Sequence, residues 1–73
     1  MIRTPALPPR LHVRGDNLYW TGGVRLELVA SIERDLDDCW LAVDRHGQTI
    51  AGPFPARARA LDAARTYAEE ARP

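Results

Sequence analysis

Residues 39–54 read C-W-L-A-V-D-R-H-G-Q-T-I-A-G-P-F, and an alanine- and arginine-rich run follows to Ala71. Cys39, Leu41 and Val43 fall on one parity and Trp40, Ala42 and Asp44 on the other, the two-residue period of a strand. Arg45-His46-Gly47-Gln48 supplies turn residues. Thr49 to Phe54 forms a further strand that the Gly52-Pro53 pair ends. From Pro55 the period changes. Ala60, Leu61, Ala64, Ala68 and Ala71, with Tyr67 beside them, recur at three- and four-residue steps, which predicts a helix to about Arg72. Pro55 suits the first turn of that helix, where no backbone donor is needed. Alanine along the inner stripe lets the helix lie close to a sheet, with Leu61 and Phe54 as bulky anchors. On the outer side, Asp62 with Arg65 and Arg65 with Glu69 have the spacing of helical ion pairs.

Working back from this frame, residues 24–34 alternate most cleanly. Val24, Leu26, Leu28, Ala30 and Ile32 share one parity, and Arg25, Glu27, Val29, Ser31 and Glu33 the other. This predicts a half-buried strand with one wet side. Asp35-Leu36-Asp37-Asp38 reads as the loop between strands. Residues 10–20 read as a hairpin turning at Gly15-Asp16-Asn17, and Thr21-Gly22-Gly23 marks the next turn. Residues 1–9 hold three of the six prolines, which predicts an extended arm that could pack along the sheet through Leu7. The expected fold class is α+β: a small antiparallel meander of three to five strands over residues 10–73, with one C-terminal helix on one face. The opposite face is expected to stay open, or to be partly closed by the N-terminal hairpin and arm, with Arg25, Glu27, Val29, Trp40, Ala42 and Asp44 on it.

The chain has 73 residues, one small domain. All ten basic residues are arginine, against ten acids, for a formal charge of zero. A neutral total does not provide a general grip on nucleic acid, which needs a basic surplus on some face. The charge is uneven, however. Arg3, Arg10 and Arg14 precede the first acid, Asp16. Glu33, Asp35, Asp37, Asp38 and Asp44 then stand against Arg34 alone. One cysteine makes no internal disulfide, and no signal peptide or membrane span is visible. The chain begins with Met1 and reads as a whole, cytoplasmic protein without membrane association.

The stretch from Trp40 through Ala64 resembles the three-stranded-sheet-plus-helix DNA-binding module of the AP2 family and of phage integrase amino-terminal arms. The matching positions are Trp40, Gly47, Gly52, Phe54, Ala60, Ala63 and Ala64. Residues 7–20 also resemble the start of integrase arms. The resemblance implies an open sheet face that enters the major groove, with Arg3, Arg10, Arg14, Arg25 and Trp40 as DNA contacts. Against this, Glu27, Glu33 and Asp44 fall on the expected open face and would repel phosphates. The expected helix also lacks a Ser or Thr cap.

The sequence carries no catalytic motif. Cys39 reads as a buried thiol and His46 as a turn residue, while His12, Cys39 and His46 lack the close-paired spacing of zinc ligands. The Asp35–Asp38 run is too short for a calcium loop. No enzyme activity and no cofactor are expected. The leading expectation is a small protein-binding module, such as a phage or mobile-element accessory protein that inhibits a nucleic-acid-targeting defence complex (an anti-CRISPR type). Its contacts would be Trp20, Arg25, Glu33, Asp35, Asp37, Asp38, Trp40 and Asp44. Self-association through a strand edge is a further expectation, and a DNA-binding module the alternative.

Overall fold

The computed structural model describes residues 8–22 and 25–72. It contains β1 (Arg10–Arg14), β2 (Asn17–Gly22), β3 (Arg25–Arg34), β4 (Trp40–Asp44), β5 (Thr49–Phe54) and α1 (Arg57–Glu70). The strands form one antiparallel sheet in the order β1-β2-β3-β4-β5. Helix α1 lies mainly over β3, β4 and β5. This is the expected α+β meander with a single closing helix. Arg3, Leu7 and Val24 lie outside the described residues.

The β1–β2 hairpin closes with Arg14 opposite Asn17, leaving Gly15 and Asp16 as a two-residue loop. Gly15 has φ +58° and Asp16 a negative φ. A glycine leading such a loop gives the turn whose twist matches the flanking strands. Arg57 then anchors the helix start to this turn. Its guanidinium donates to Asp16 Oδ1 at 2.8 and 3.2 Å and to the Gly15 carbonyl at 2.8 Å. Both side chains stay largely exposed, so the pair orients more than it stabilises.

A bulge in β3 decides which residues face the helix. Leu18 pairs with Ala30, but the next residue, Tyr19, pairs with Leu28. Val29 is the extra residue, and it packs on the core beside Ala30. An inserted residue reverses the parity of everything beyond it. Ala30 and Ile32 therefore point at the helix, while Leu26 and Leu28, at 44% and 38% exposure, point away. The unbroken alternation expected over residues 24–34 is thus split, and Arg25, Glu27 and Val29 belong to the helix side.

Strand β4 likewise has the opposite sense to the one expected. Ala42 is fully buried in the helix-side cluster and Trp40 packs against it, whereas Leu41 and Val43 face away. Cys39 sits in the loop before β4, only partly buried, with Sγ 3.6 Å from the Asp37 carbonyl. The expectation of a buried core thiol is corrected accordingly.

The core is built to let α1 come close. Nine hydrophobic residues are buried among the described ones, and five of them are alanines: Ala30 and Ala42 from the sheet, Ala60, Ala64 and Ala68 from the helix. Ala71, expected on the inner stripe, is exposed at the helix end. Helix α1 starts at Arg57 after Ala56, without a side-chain cap, so Pro55 precedes the helix instead of opening it. The expected Asp62–Arg65 and Arg65–Glu69 pairs do not form among the described residues, where Glu69 pairs instead with Arg72 at 3.0 Å.

The helix C-terminus is fixed by β2. The last carbonyls of a helix have no partner within it. Trp20, 3% exposed, donates its indole N–H to the Ala68 carbonyl at 2.9 Å. Arg72 lies over the same indole, its guanidinium carbon 5.2 Å from the Trp20 ring centre.

Candidate docking surface

Among the described residues one helix covers one side of the sheet and nothing covers the other, and the register fixes what that other side presents. Arg10, His12 and Arg14 come from β1, Tyr19 and Thr21 from β2, Leu26, Leu28, Ser31 and Glu33 from β3, and Leu41 and Val43 from β4. Arg10 stands opposite Thr21, His12 opposite Tyr19, Tyr19 opposite Leu28, and Thr21 opposite Leu26. Tyr19, Leu26 and Leu28 thus form one apolar area across two strands. Val43, between Ser31 and Thr49, is almost fully buried even here. Asn17 Oδ1 accepts the Ser31 hydroxyl at 2.8 Å, tying β2 to β3 on this face.

Charge on this surface is polarised. Arg10, His12 and Arg14 line the β1 margin. Glu33 lies next to the β3–β4 loop, where Asp35, Asp37 and Asp38 surround Leu36, which is 100% exposed. The loop is shaped by the backbone: Asp35 N–H donates to the Cys39 carbonyl at 2.7 Å, and Leu36 N–H to Asp35 Oδ1 at 2.8 Å. Asp38 takes φ +57° and accepts from Arg34 at 2.7 Å. A leucine fully in water among acids is not core material, and is available for contact.

The contacts expected from sequence separate into three groups. Glu33, Asp35, Asp37 and Asp38 come together at this loop. Asp44 does not join them, because it ends β4, about 13 Å along the strand from Trp40. Asp44 is a turn residue: its Oδ1 accepts from the backbone N–H of His46 at 2.8 Å and of Gln48 at 2.9 Å. Trp20, Arg25 and Trp40 lie on the helix side, so none of them belongs to the uncovered face. Trp40 is partly buried, with Arg57 6.0 Å from its ring centre. Of the expected DNA contacts, Arg10 and Arg14 do share the uncovered face, and Glu27 and Asp44, expected there, do not. Leu26, Leu28 and Leu36 are surface residues that the alternation pattern does not reveal. A bulge leaves no mark in such a pattern, but an isolated leucine between aspartates is a legible signal.

Asp44 has a perturbed acidity. The Gln48 N–H bond lowers its carboxyl below the usual 3.8, and the His46 N–H bond and the charges of His46 and Arg45 act in the same direction against a loss of solvation. The folded value is depressed, so the turn's contribution is present above the unfolded value and is lost as pH falls through the folded one. Asp44→Ala should therefore destabilise the protein at pH 7 and lose that deficit progressively as pH falls below the unfolded aspartate value of about 3.9. Denaturation midpoints of both proteins across that range check this; a deficit constant with pH would contradict it.

The nucleophile and base candidates are dispersed. Cys39 and His46 flank opposite ends of β4, and His12 is three strands away, about 14 Å. An open cleft of about 310 Å³ is lined by Trp20, Glu27, Leu28, Val29, Arg45, His46, Tyr67 and Ala71. Among the described residues no three His, Cys, Asp or Glu side chains gather as metal ligands, and no helix is long and apolar enough to cross a membrane. In comparisons with protein-family models, curated proteins and solved structures nothing matches this chain.

Proposed function

We propose that the chain is a non-enzymatic module that docks another protein through its uncovered sheet face. The observation that carries this is the exposure of Leu26 and Leu28 beside Tyr19 on a sheet side that α1 does not cover. Apolar side chains grouped in water favour a partner that removes them from it. Charge distribution selects the kind of partner. A basic margin at β1 and an acidic margin at Glu33 and the β3–β4 loop suit a protein surface of mixed charge. A polyanion would meet repulsion at the acidic end, and leucines offer little to phosphate. Within this reading, Leu36 and its aspartates would enter a basic groove of the partner. Inhibition of a nucleic-acid-targeting defence complex, the action of an anti-CRISPR protein, is the concrete form we favour. The bound chain would then act in the cytoplasm of the host.

Capture experiments with nuclease-treated extract test this. Leu26→Asp and Leu28→Asp are surface changes expected to shift stability by no more than about 0.5 kcal/mol. They should lower recovery of the captured protein about tenfold or more. Leu36→Asp should weaken it as well. Equal recovery by wild type and variants would overturn the proposal. So would retention on duplex DNA that weakens steeply with salt, which would favour the DNA-binding reading.

A further inference from the structure

The two sheet edges differ. Strand β5 is unsuited to further pairing: its ladder with β4 shifts register twice, and Pro53 removes a donor. Gly52, at φ +117°, leaves no room for a side chain, since a Cβ there would lie 3.0 Å from the Trp40 carbonyl oxygen. Strand β1 is regular, holds no proline and pairs with β2 at every residue from Arg10 to Arg14. Its other side is free among the described residues.

The hairpin fixes which backbone groups point outward. Arg14 and Asn17 close a two-residue loop, so they form a hydrogen-bonded pair, and the pattern alternates from there. Arg10, His12 and Arg14 direct their backbone groups at β2. Arg10 shows this directly: its N–H donates to Thr21 Oγ1 at 3.2 Å, and its carbonyl accepts from the same hydroxyl. Leu11 and Val13 therefore turn their N–H and C=O groups out to the free edge. Their side chains lie half-buried on the helix side, at the rim of the core. Arg10, His12 and Arg14 present theirs on the uncovered side.

We infer that β1 is the receiving edge for an extended acidic peptide segment of the partner, added as a sixth strand. This rests on the protein-docking reading above and names the partner's chemistry. Main-chain hydrogen bonds to Leu11 and Val13 would supply the pairing. Acidic residues at alternate positions would meet Arg10, His12 and Arg14, and apolar residues between them would extend the cover of Leu11 and Val13. A second copy of this chain fits poorly. Antiparallel self-pairing centred on His12 sets Arg10 opposite Arg14 on the same side, twice, and like charges directly opposite repel. Residues 1–7 contain Arg3 and no acid, so they do not provide the complement either.

The test uses the full chain, isotopically labelled, and a capped synthetic peptide of alternating glutamate and valine. Amide exchange at Leu11 and Val13 should slow on adding the peptide, while the same peptide with lysine in place of glutamate should do nothing. Arg10→Glu with Arg14→Glu should weaken binding about tenfold or more. Val13→Pro should abolish it by removing an outward donor, and the charge reversal decides the matter where that variant fails to fold. Asp62→Ala, on the exposed side of α1, should leave peptide binding unchanged. Unchanged exchange at millimolar peptide, or equal binding of the lysine peptide, would overturn the inference. Protection that rises with protein concentration alone would assign the edge to a second copy, and protection by duplex DNA would assign it to nucleic acid. If partner capture depends on Leu26 and Leu28 while β1 stays unprotected, the docking face stands and the edge assignment falls. If β1 is protected while capture is indifferent to those leucines, the edge assignment stands and the docking face falls.

Discussion

Trp20→Ala is expected to destabilise the fold by about 3–5 kcal/mol, the range for removing a buried aromatic. A domain of this size has about 4–10 kcal/mol in total, so the variant should be largely unfolded at 37 °C or close to it. Three contributions are lost together. The ring is 3% exposed and covers the core beneath the helix C-terminus. Its N–H donates to the Ala68 carbonyl, which also accepts from the Ala71 N–H. Its face also carries the Arg72 guanidinium. Trp20→Phe separates them by keeping most of the apolar area and dropping the hydrogen bond. It should cost about 0.5–1.5 kcal/mol, mostly the lost hydrogen bond, since the Ala68 carbonyl keeps the Ala71 N–H. Urea denaturation followed by circular dichroism checks both values. A loss below about 1 kcal/mol for the alanine variant would mean that α1 is held elsewhere.

That role is only half legible in the sequence. Trp20 follows Leu18 and Tyr19 in an apolar run, which marks a strand, and two tryptophans in a short chain are substantial core material. Its place as a donor to the last turn of the helix depends on α1 crossing back over β2 forty-eight residues later, and no local pattern encodes that. The same division runs through the molecule. Turns at Gly15 and Gly47 punctuate the chain, Gly52-Pro53 falls near the end of β5, and the alanine steps of α1 show its inner face, so element order and fold class follow directly. Facing does not. In β3 one inserted residue, Val29, puts Leu26 and Ala30 on opposite sides although their spacing is even. In β4 the alternation is real but its sense is inverted. Leucine and valine outrank tryptophan and alanine by hydrophobicity, yet the helix demands the small Ala42 beneath its alanines and uses Trp40 at the rim. The consequence is functional. Parity alone places the exposed leucines in the core and puts on the surface residues that serve packing and a turn.

Leu18→Ala should have a comparable effect, about 3–5 kcal/mol, for a different reason. Among the described residues Leu18 is the only large side chain that is completely buried. The other buried members of its cluster are alanines and Ile32, with larger side chains such as Leu11, Val13 and Leu61 packed around them only partly buried. Alanines have no rotamers with which to fill a gap, so the buried members themselves recover little of the lost volume. Collapse of the helix onto the sheet is also limited, because Ala60, Ala64 and Ala68 already bring the two close. A truncation at this site should therefore leave a persistent cavity, and the loss should lie near the top of the range for leucine. Leu18→Met keeps the volume and should cost less than about 1.5 kcal/mol. A second consequence follows from register. Leu18 sits opposite Ala30 at the step where Val29 is inserted, so its packing helps hold the bulge in place. Loss of that packing should loosen the bulge and blur the facing of Leu26 and Leu28. Amide exchange across residues 26–30 in Leu18→Ala should quicken beyond what global destabilisation accounts for. Exchange that tracks global stability alone would show that the bulge is set by the backbone and not by this side chain.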